Sequence, residues 1–261
     1  HMGVAGAALA TLISRIFCAV VVLAELRLDR QPIVVRDYLK IRPDWRMIRR
    51  ILGIGIPSGV ENSMFQLGKL AIQSTVSTLG TTAIAAQAMT NILENLNGIG
   101  GIGVGIGLMT IVGQCLGADR KDEAVYYIKK LCVIAEIVMA ASCVIVFALT
   151  KPITILGGME PESAKMCFHM VIWITIVKPI VWALAFVPAY GLRAAGDVKF
   201  SMITSCLVMW LCRFCLCVIL IRFLGFGPMG VWIGMFADWT VRAVIFTWRF
   251  HSRRWLRYKV I

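Results

Sequence analysis

Two carboxylates, Glu61 and Glu94, sit inside long apolar stretches of this 261-residue chain. A charge at mid-membrane costs roughly 2.5–3.5 kcal/mol on insertion scales, so such a group normally faces a bundle interior or a water-filled cavity, where it can hold a cation or a proton. Glu61 stands at the edge of a polar stripe in which Ser58, Asn62, Gln66, Lys69, Gln73 and Ser77 recur at steps of three and four. That spacing lays them on one face of a helix. The stripe can line an aqueous path, or it can glue helices together through hydrogen bonds, as small and polar residues do in membranes. Six polar positions on one face, a lysine among them, exceed what gluing usually needs, and this favours a cavity lined by Asn62, Gln66, Lys69 and Gln73.

The stretch around Glu94 starts polar, with Gln87, Asn91, Asn95 and Asn97, and then turns glycine-rich, so it reads as a mouth over a packed base; Asn95 joins the cavity set. Counting about 1.5 Å per residue from opposite membrane faces puts Glu61 and Glu94 each roughly 15 Å deep, level enough to share a cation or a proton. The competing fate of each is neutralisation by a buried base, and Arg15, Lys69, Lys178, Arg213 and Arg242 are all inside apolar runs. Asp238 and Arg242, four apart, are spaced to pair directly along one helix, a structural role. Glu136 and His169 stand alone.

Other patterns dissolve in context. The glycines from Gly98 to Gly107 contain a G-x-G-x-x-G match, with Asp119 near the distance of a ribose-binding acid, but no strand precedes them. Gly101-x-x-x-Gly105 and Gly103-x-x-x-Gly107 fit close helix packing better. Cys212-Arg-Phe-Cys215 with Cys217 lacks the second ligand pair that a structural metal site needs. All nine cysteines lie in or beside apolar segments and read as packing residues, not as a disulfide framework. No nucleophile with a base is evident, so the sequence points away from an enzyme, an intramembrane hydrolase or lipid transferase included. Pro57, Pro179 and Pro188 fall inside apolar runs, where kinks are tolerated in helices that must bend. Pro57 lies one turn before Glu61 and could couple protonation to helix shape.

The elements that must hold these residues are transmembrane helices. Hydrophobic content of 59% with 16% charged residues, and a mean hydropathy of +0.81, leave too little polar surface to cover a soluble domain. A bilayer core takes roughly 20 apolar residues. Seven runs qualify, at about 4–25, 50–78, 85–116, 125–149, 166–190, 201–223 and 229–250. The fold class is therefore an all-α polytopic membrane protein with seven transmembrane helices. The formal charge of +13 is topological, because the bases fall in alternate connections. One side collects the 27–50 segment, Arg120, Lys121, Lys129, Lys130, Arg193, Lys199 and the end of the chain; the other holds Lys151, Lys165 and Arg222. By the positive-inside rule the C-terminus is cytoplasmic, in the cell membrane. The Trp248–Tyr258 tail, mixing bases with aromatics, suits anionic headgroups better than nucleic acid.

Four stretches, Gly3-Val-Ala-Gly-Ala-Ala-Leu-Ala-Thr11, Gly55-Ile-Pro-Ser58, Gly113-Gln-Cys-Leu-Gly-Ala118 and Leu192-Arg-Ala-Ala-Gly-Asp197, in this order and at these spacings, give the chain its resemblance to the MATE (multidrug and toxic compound extrusion) family. The resemblance covers essentially the whole chain. It implies a two-lobe transporter of which this chain holds the C-terminal portion: residues 1–26 as the last helix of the first lobe, 27–49 as a basic cytoplasmic linker, 50–250 as the second six-helix lobe and 251–261 as a basic tail. His1-Met2 then reads as a cloning remnant. The implied activity is secondary active export of amphiphilic, often cationic, small molecules by alternating access, with Na+ or H+ as coupling ion and no other cofactor.

On that resemblance Glu61 and Glu94 are the candidate cation or proton carriers. Met64, Phe65 and Met89 could add to a drug cavity, and the partners are the bilayer, the drug, and a first lobe or a second copy. The acidic residue falls about one turn earlier after the proline than in many relatives. Two rival readings accompany the resemblance. One is a flippase for a lipid-linked precursor, which would want a more cationic cavity than one lysine gives. The other is an inactive half-transporter.

Overall fold

The computed structural model describes residues 3–27 and 43–257. The linker bases Arg30, Arg36, Lys40 and Arg42 and the end of the tail lie outside the described residues. Every regular element among those described is helical. The order is α1 (Gly3–Glu25), α2 (Trp45–Val76), α3 (Thr81–Gly117), α4 (Lys121–Leu156), α5 (Pro161–Ala194), α6 (Val198–Val208), a π-helical stretch (Met209–Cys215), α7 (Leu216–Arg222) and α8 (Met229–His251). By Cα packing the chain forms two units, His1–Ile51 and Leu52–Ile261.

The helices overshoot the apolar runs that announce them. α3, α4 and α5 have 37, 36 and 34 residues, about 50–55 Å of helix against a hydrocarbon core of about 30 Å. Their ends therefore reach into the interfacial layers or the helices tilt. Among the described residues six helical segments are long and apolar enough to cross a membrane, from Ala8–Glu25 to Met229–His251. The expected second span, α2, is long enough at 32 residues, but its polar stripe dilutes the hydropathy below that of its neighbours. α6, the π stretch and α7 together make one span, Val198–Arg222.

Helix ends follow local chemistry. The Asp44 carboxylate accepts from the amides of Arg46 and Met47 at 2.9 and 3.3 Å, capping the start of α2 just after Pro43. α4 ends at a glycine pair in which Gly158 takes φ +60°, and Pro161 opens α5 with its φ already set for a helix. Gly196, at φ +87°, turns the chain from α5 into α6.

Residues 52–257 pack around three apolar clusters. One joins α3, α4, α5 and α8 through Leu93, Met139, Ile174, Trp232 and Trp239. A second, at the opposite end of the same helices, gathers Leu108, Ile128, Leu192, Phe246 and Trp255. A third seats the C-terminal part of α2, at Ile72 and Val76, against Met209, Cys217 and Val231. The tail expectation needs correcting at Trp255. It is fully buried, donates from its indole to the Phe250 carbonyl at 3.1 Å and stacks on the Phe250 ring. A turn of 3-10 helix at Arg254–Arg257 folds it back onto α8, so it closes a core and does not anchor to headgroups. Trp248, at 60% exposure, keeps the outward orientation expected of an interfacial aromatic.

The glycine run resolves into two kinds of position. A Cβ on Gly101 would meet Met139 and the Trp182 ring at 2.5 and 2.6 Å, and one on Gly105 would meet the Tyr190 ring at 2.5 Å. Close packing of α3 on α5 requires both. Nothing lies within 4 Å of a Cβ at Gly103 or Gly107, so the second of the two expected small-residue pairs makes no such contact among the described residues.

Candidate functional site

Polar groups along α3 are divided between packing and a cavity. Gln87 accepts from the Trp232 indole on α8 at 3.0 Å. The Asn97 amide oxygen accepts from the Cys143 thiol on α4 at 3.1 Å, and Thr90 donates to Cys167 on α5 at 3.3 Å. These bonds hold helices together, and both thiols are buried. Asn91, Glu94 and Asn95 face an open cleft of about 420 Å³, whose lining Gln87 also joins.

The far wall of that cleft is α2. Gln66, Lys69 and Gln73 line it, with the apolar side chains of Leu70 and Ile72 beside them. Arg213, Val231 and Met235 complete the lining from the π stretch and α8. Five of the sequence-predicted residues, Gln66, Lys69, Gln73, Asn95 and Glu94, are thus brought to one place. Asn62 is not among them: it is exposed and its amide donates to the carbonyl of Ser58 on its own helix at 3.1 Å. Ser77 likewise bonds back to Ser74 at 2.7 Å. Of the three candidate drug-contacting side chains, Phe65 lies 5.0 Å from the Lys69 ammonium and 5.4 Å from the Arg213 guanidinium. Met89 packs against the first core cluster, and Met64 is half-buried outside the cleft lining.

The two carboxylates do not share a site. Glu94 is held by Lys178 of α5, whose ammonium donates to the carboxylate at 2.6 Å and to the backbone carbonyl of Glu94 at 2.9 Å. Lys178 is completely buried, between the rings of Trp182 and Trp239 at about 6 Å. Glu61 is bound by Arg193 at 2.5 Å, and the Arg193 Nε donates to Ser201 at 3.1 Å. Lys178 sits in the middle of α5 and Arg193 next to its last residue, about 22 Å apart along the axis at 1.5 Å per residue. The equal depth expected for Glu61 and Glu94 therefore fails. The count assumed that the membrane begins at the first apolar residue, whereas α2 starts at Trp45 and a long arginine reaches in from a helix end.

On α8, Asp238 and Arg242 form the expected i, i+4 pair at 2.8 Å, both buried, and Arg242 also donates to the Ser205 carbonyl at 3.0 Å. In the sequence Arg213 is marked only as a base inside an apolar run. Its place in the cleft depends on the π-helical stretch, in which each turn holds more than 3.6 residues and side chains are rotated off the α-helical face. Its cationic partner Lys69 was legible from the stripe; Arg213 was not.

A family model described as MatE matches residues 57–219. A probable multidrug resistance protein NorM of Thermotoga maritima is 25% identical over the full length of this chain, which covers 56% of that protein. Among solved structures, a MATE in complex with MaL6 superposes with a TM-score of 0.83 at 17% identity, over 97% of this chain and 57% of that one. An outward-facing multidrug resistance MATE family transporter superposes at 0.82, also at 17% identity, over 96% and 56%. At that identity the structural likeness is one of fold. The chain spans about half the length of the curated relatives it matches.

Proposed function

The chain belongs to the MatE family of membrane transporters, and on that premise we propose that it forms the second lobe, with the helix before it, of a secondary active exporter of amphiphilic small molecules. The cargo crosses by alternating access, and Na+ or H+ flows the other way. The observation that carries this reading is the 420 Å³ cleft, which places a carboxylate, Glu94, among amides and two bases inside a largely apolar bundle. Its size lies in the range of small-molecule sites. A first lobe or a second copy of the chain supplies the other wall of the path.

Glu94 is the better coupling candidate of the two carboxylates. A proton or Na+ arriving there competes with a fully buried ammonium, so binding and release of the ion must reposition Lys178 between α3 and α5. Glu61, tied to Arg193, joins α2 to the end of α5 and would respond to movement of α2. Efflux from proteoliposomes under imposed sodium and proton gradients in turn tests the reading. Gradient-driven efflux that Glu94→Gln abolishes supports it, and absence of efflux under either gradient overturns it.

The flippase reading gains one observation. Arg213 joins Lys69 in the cleft, which makes it more cationic than the α2 stripe alone indicated. Gradient-independent movement of a polyprenyl pyrophosphate across vesicles would shift the assignment to it.

A further inference from the structure

The cleft carries a charge imbalance that its polar lining does not relieve. Among its described lining residues Glu94 is the one carboxylate, against Lys69 and Arg213. Glu94 is already neutralised from behind by Lys178. Asp238, buried on α8, is neutralised by Arg242. Four cations, Lys69, Lys178, Arg213 and Arg242, thus face two carboxylates, and the two unpaired bases are the two that line the cleft.

Both unpaired bases present unused donors. Lys69 has no carboxylate within ion-pair distance among the described residues and rests on the Phe65 ring. Arg213 is only 9% exposed, its Nη2 points at the Met235 sulfur at 2.9 Å, and its Nε has no hydrogen-bond partner. A thioether is a weak acceptor, and a buried guanidinium N–H without a partner is costly unless an oxygen arrives to take it. An anionic oxygen is the acceptor that suits it best, since charge-assisted bonds to arginine are the strong ones.

We propose that this cleft is a subsite for the head of an anionic amphiphile, a carboxylate, sulfonate or phosphate monoester. Lys69 and Arg213 grip the head, and Leu70, Ile72 and Val231 meet the start of the tail. Among the described lining residues Glu94 is the one counter-charge a cationic amphiphile would find, and taking it would mean displacing the fully buried Lys178 ammonium from its carboxylate. The inference rests on the transport reading and names its substrate class.

Equilibrium binding to the purified protein in phosphatidylcholine nanodiscs decides it, with taurocholate as the anionic probe and tetraphenylphosphonium as the cationic one. Taurocholate binds more tightly, and Lys69→Gln weakens it about tenfold, as loss of one charge-assisted hydrogen bond predicts, without weakening tetraphenylphosphonium. Arg213→Gln has the same effect; because Arg213 is buried, the exposed Lys69 provides the variant that leaves the core alone. Nanodiscs containing phosphatidylglycerol distinguish the source of the anion. Unchanged taurocholate affinity there means a soluble ligand, and its loss means that a lipid headgroup takes the same subsite. Tighter binding of tetraphenylphosphonium overturns the anionic assignment and leaves the exporter standing; binding of neither probe overturns both.

Discussion

Glu94 and Lys178 are unequally wet: the lysine side chain is fully buried, while the glutamate keeps 18% exposure toward the cleft. The consequences of removing each should differ accordingly. Glu94→Ala strands a buried ammonium, which costs about 3–5 kcal/mol. Lys178→Met fills the same volume and leaves a carboxylate that cleft water or a proton can satisfy, so its cost is about 1–3 kcal/mol. Thermal unfolding in detergent should rank the two variants in that order, and the double variant should recover part of the Glu94→Ala loss. The reverse ranking would mean that Lys178 reaches solvent by a path absent from this structure. The pairing itself was not readable from sequence. The α2 stripe was, because its members recur every three or four residues, but Glu94 and Lys178 are 84 residues apart and Glu61 and Arg193 are 132 apart. No local spacing marks partners at that separation.

Elements show the same division between what a pattern specifies and what packing decides. The glycine run in α3 has the look of a uniformly smooth helix, yet Gly101 and Gly105 meet α4 and α5 while Gly103 and Gly107 meet nothing within 4 Å. Gly101→Ala would force Met139 and Trp182 aside and should destabilise by about 1–3 kcal/mol. Gly103→Ala should be neutral or stabilising by up to about 1 kcal/mol, since alanine is the better helix former. A thermal-shift comparison of the two would expose an error in the rotation of α3 if the signs were exchanged. On α2, Pro57 precedes Glu61 by four residues within one continuous helix. If a bend there couples ion binding at Glu61 to helix shape, Pro57→Ala changes the pH dependence of efflux; an unaltered pH profile removes that role. The π-helical stretch had no sequence mark. The extra residue it accommodates becomes visible only through what it does, bringing the Arg213 backbone carbonyl within 3.0 Å of where a Cβ on Gly234 of α8 would sit.

At the scale of the whole molecule, the open question with a definite sign is orientation. Two ion pairs gather the ends that the charge count assigns to the cytoplasm: Arg249 at the end of α8 binds Asp197 in the α5–α6 connection at 2.8 Å, and Arg253 approaches Asp122 at the start of α4 at 3.8 Å. That end also carries Arg120, Lys121, Lys129, Lys130, Lys199 and Arg254, while the opposite end carries Lys151, Lys165 and Arg222. Retention of short basic loops sets topology during insertion, so the richly basic end should stay inside. A green fluorescent protein fused after Ile261 should therefore fluoresce in intact cells, and alkaline phosphatase inserted at Gly225, between α7 and α8, should be active. An active phosphatase at the C-terminus with a silent one at Gly225 would invert the lobe. The proposed directions of cargo and coupling ion would then have to be exchanged.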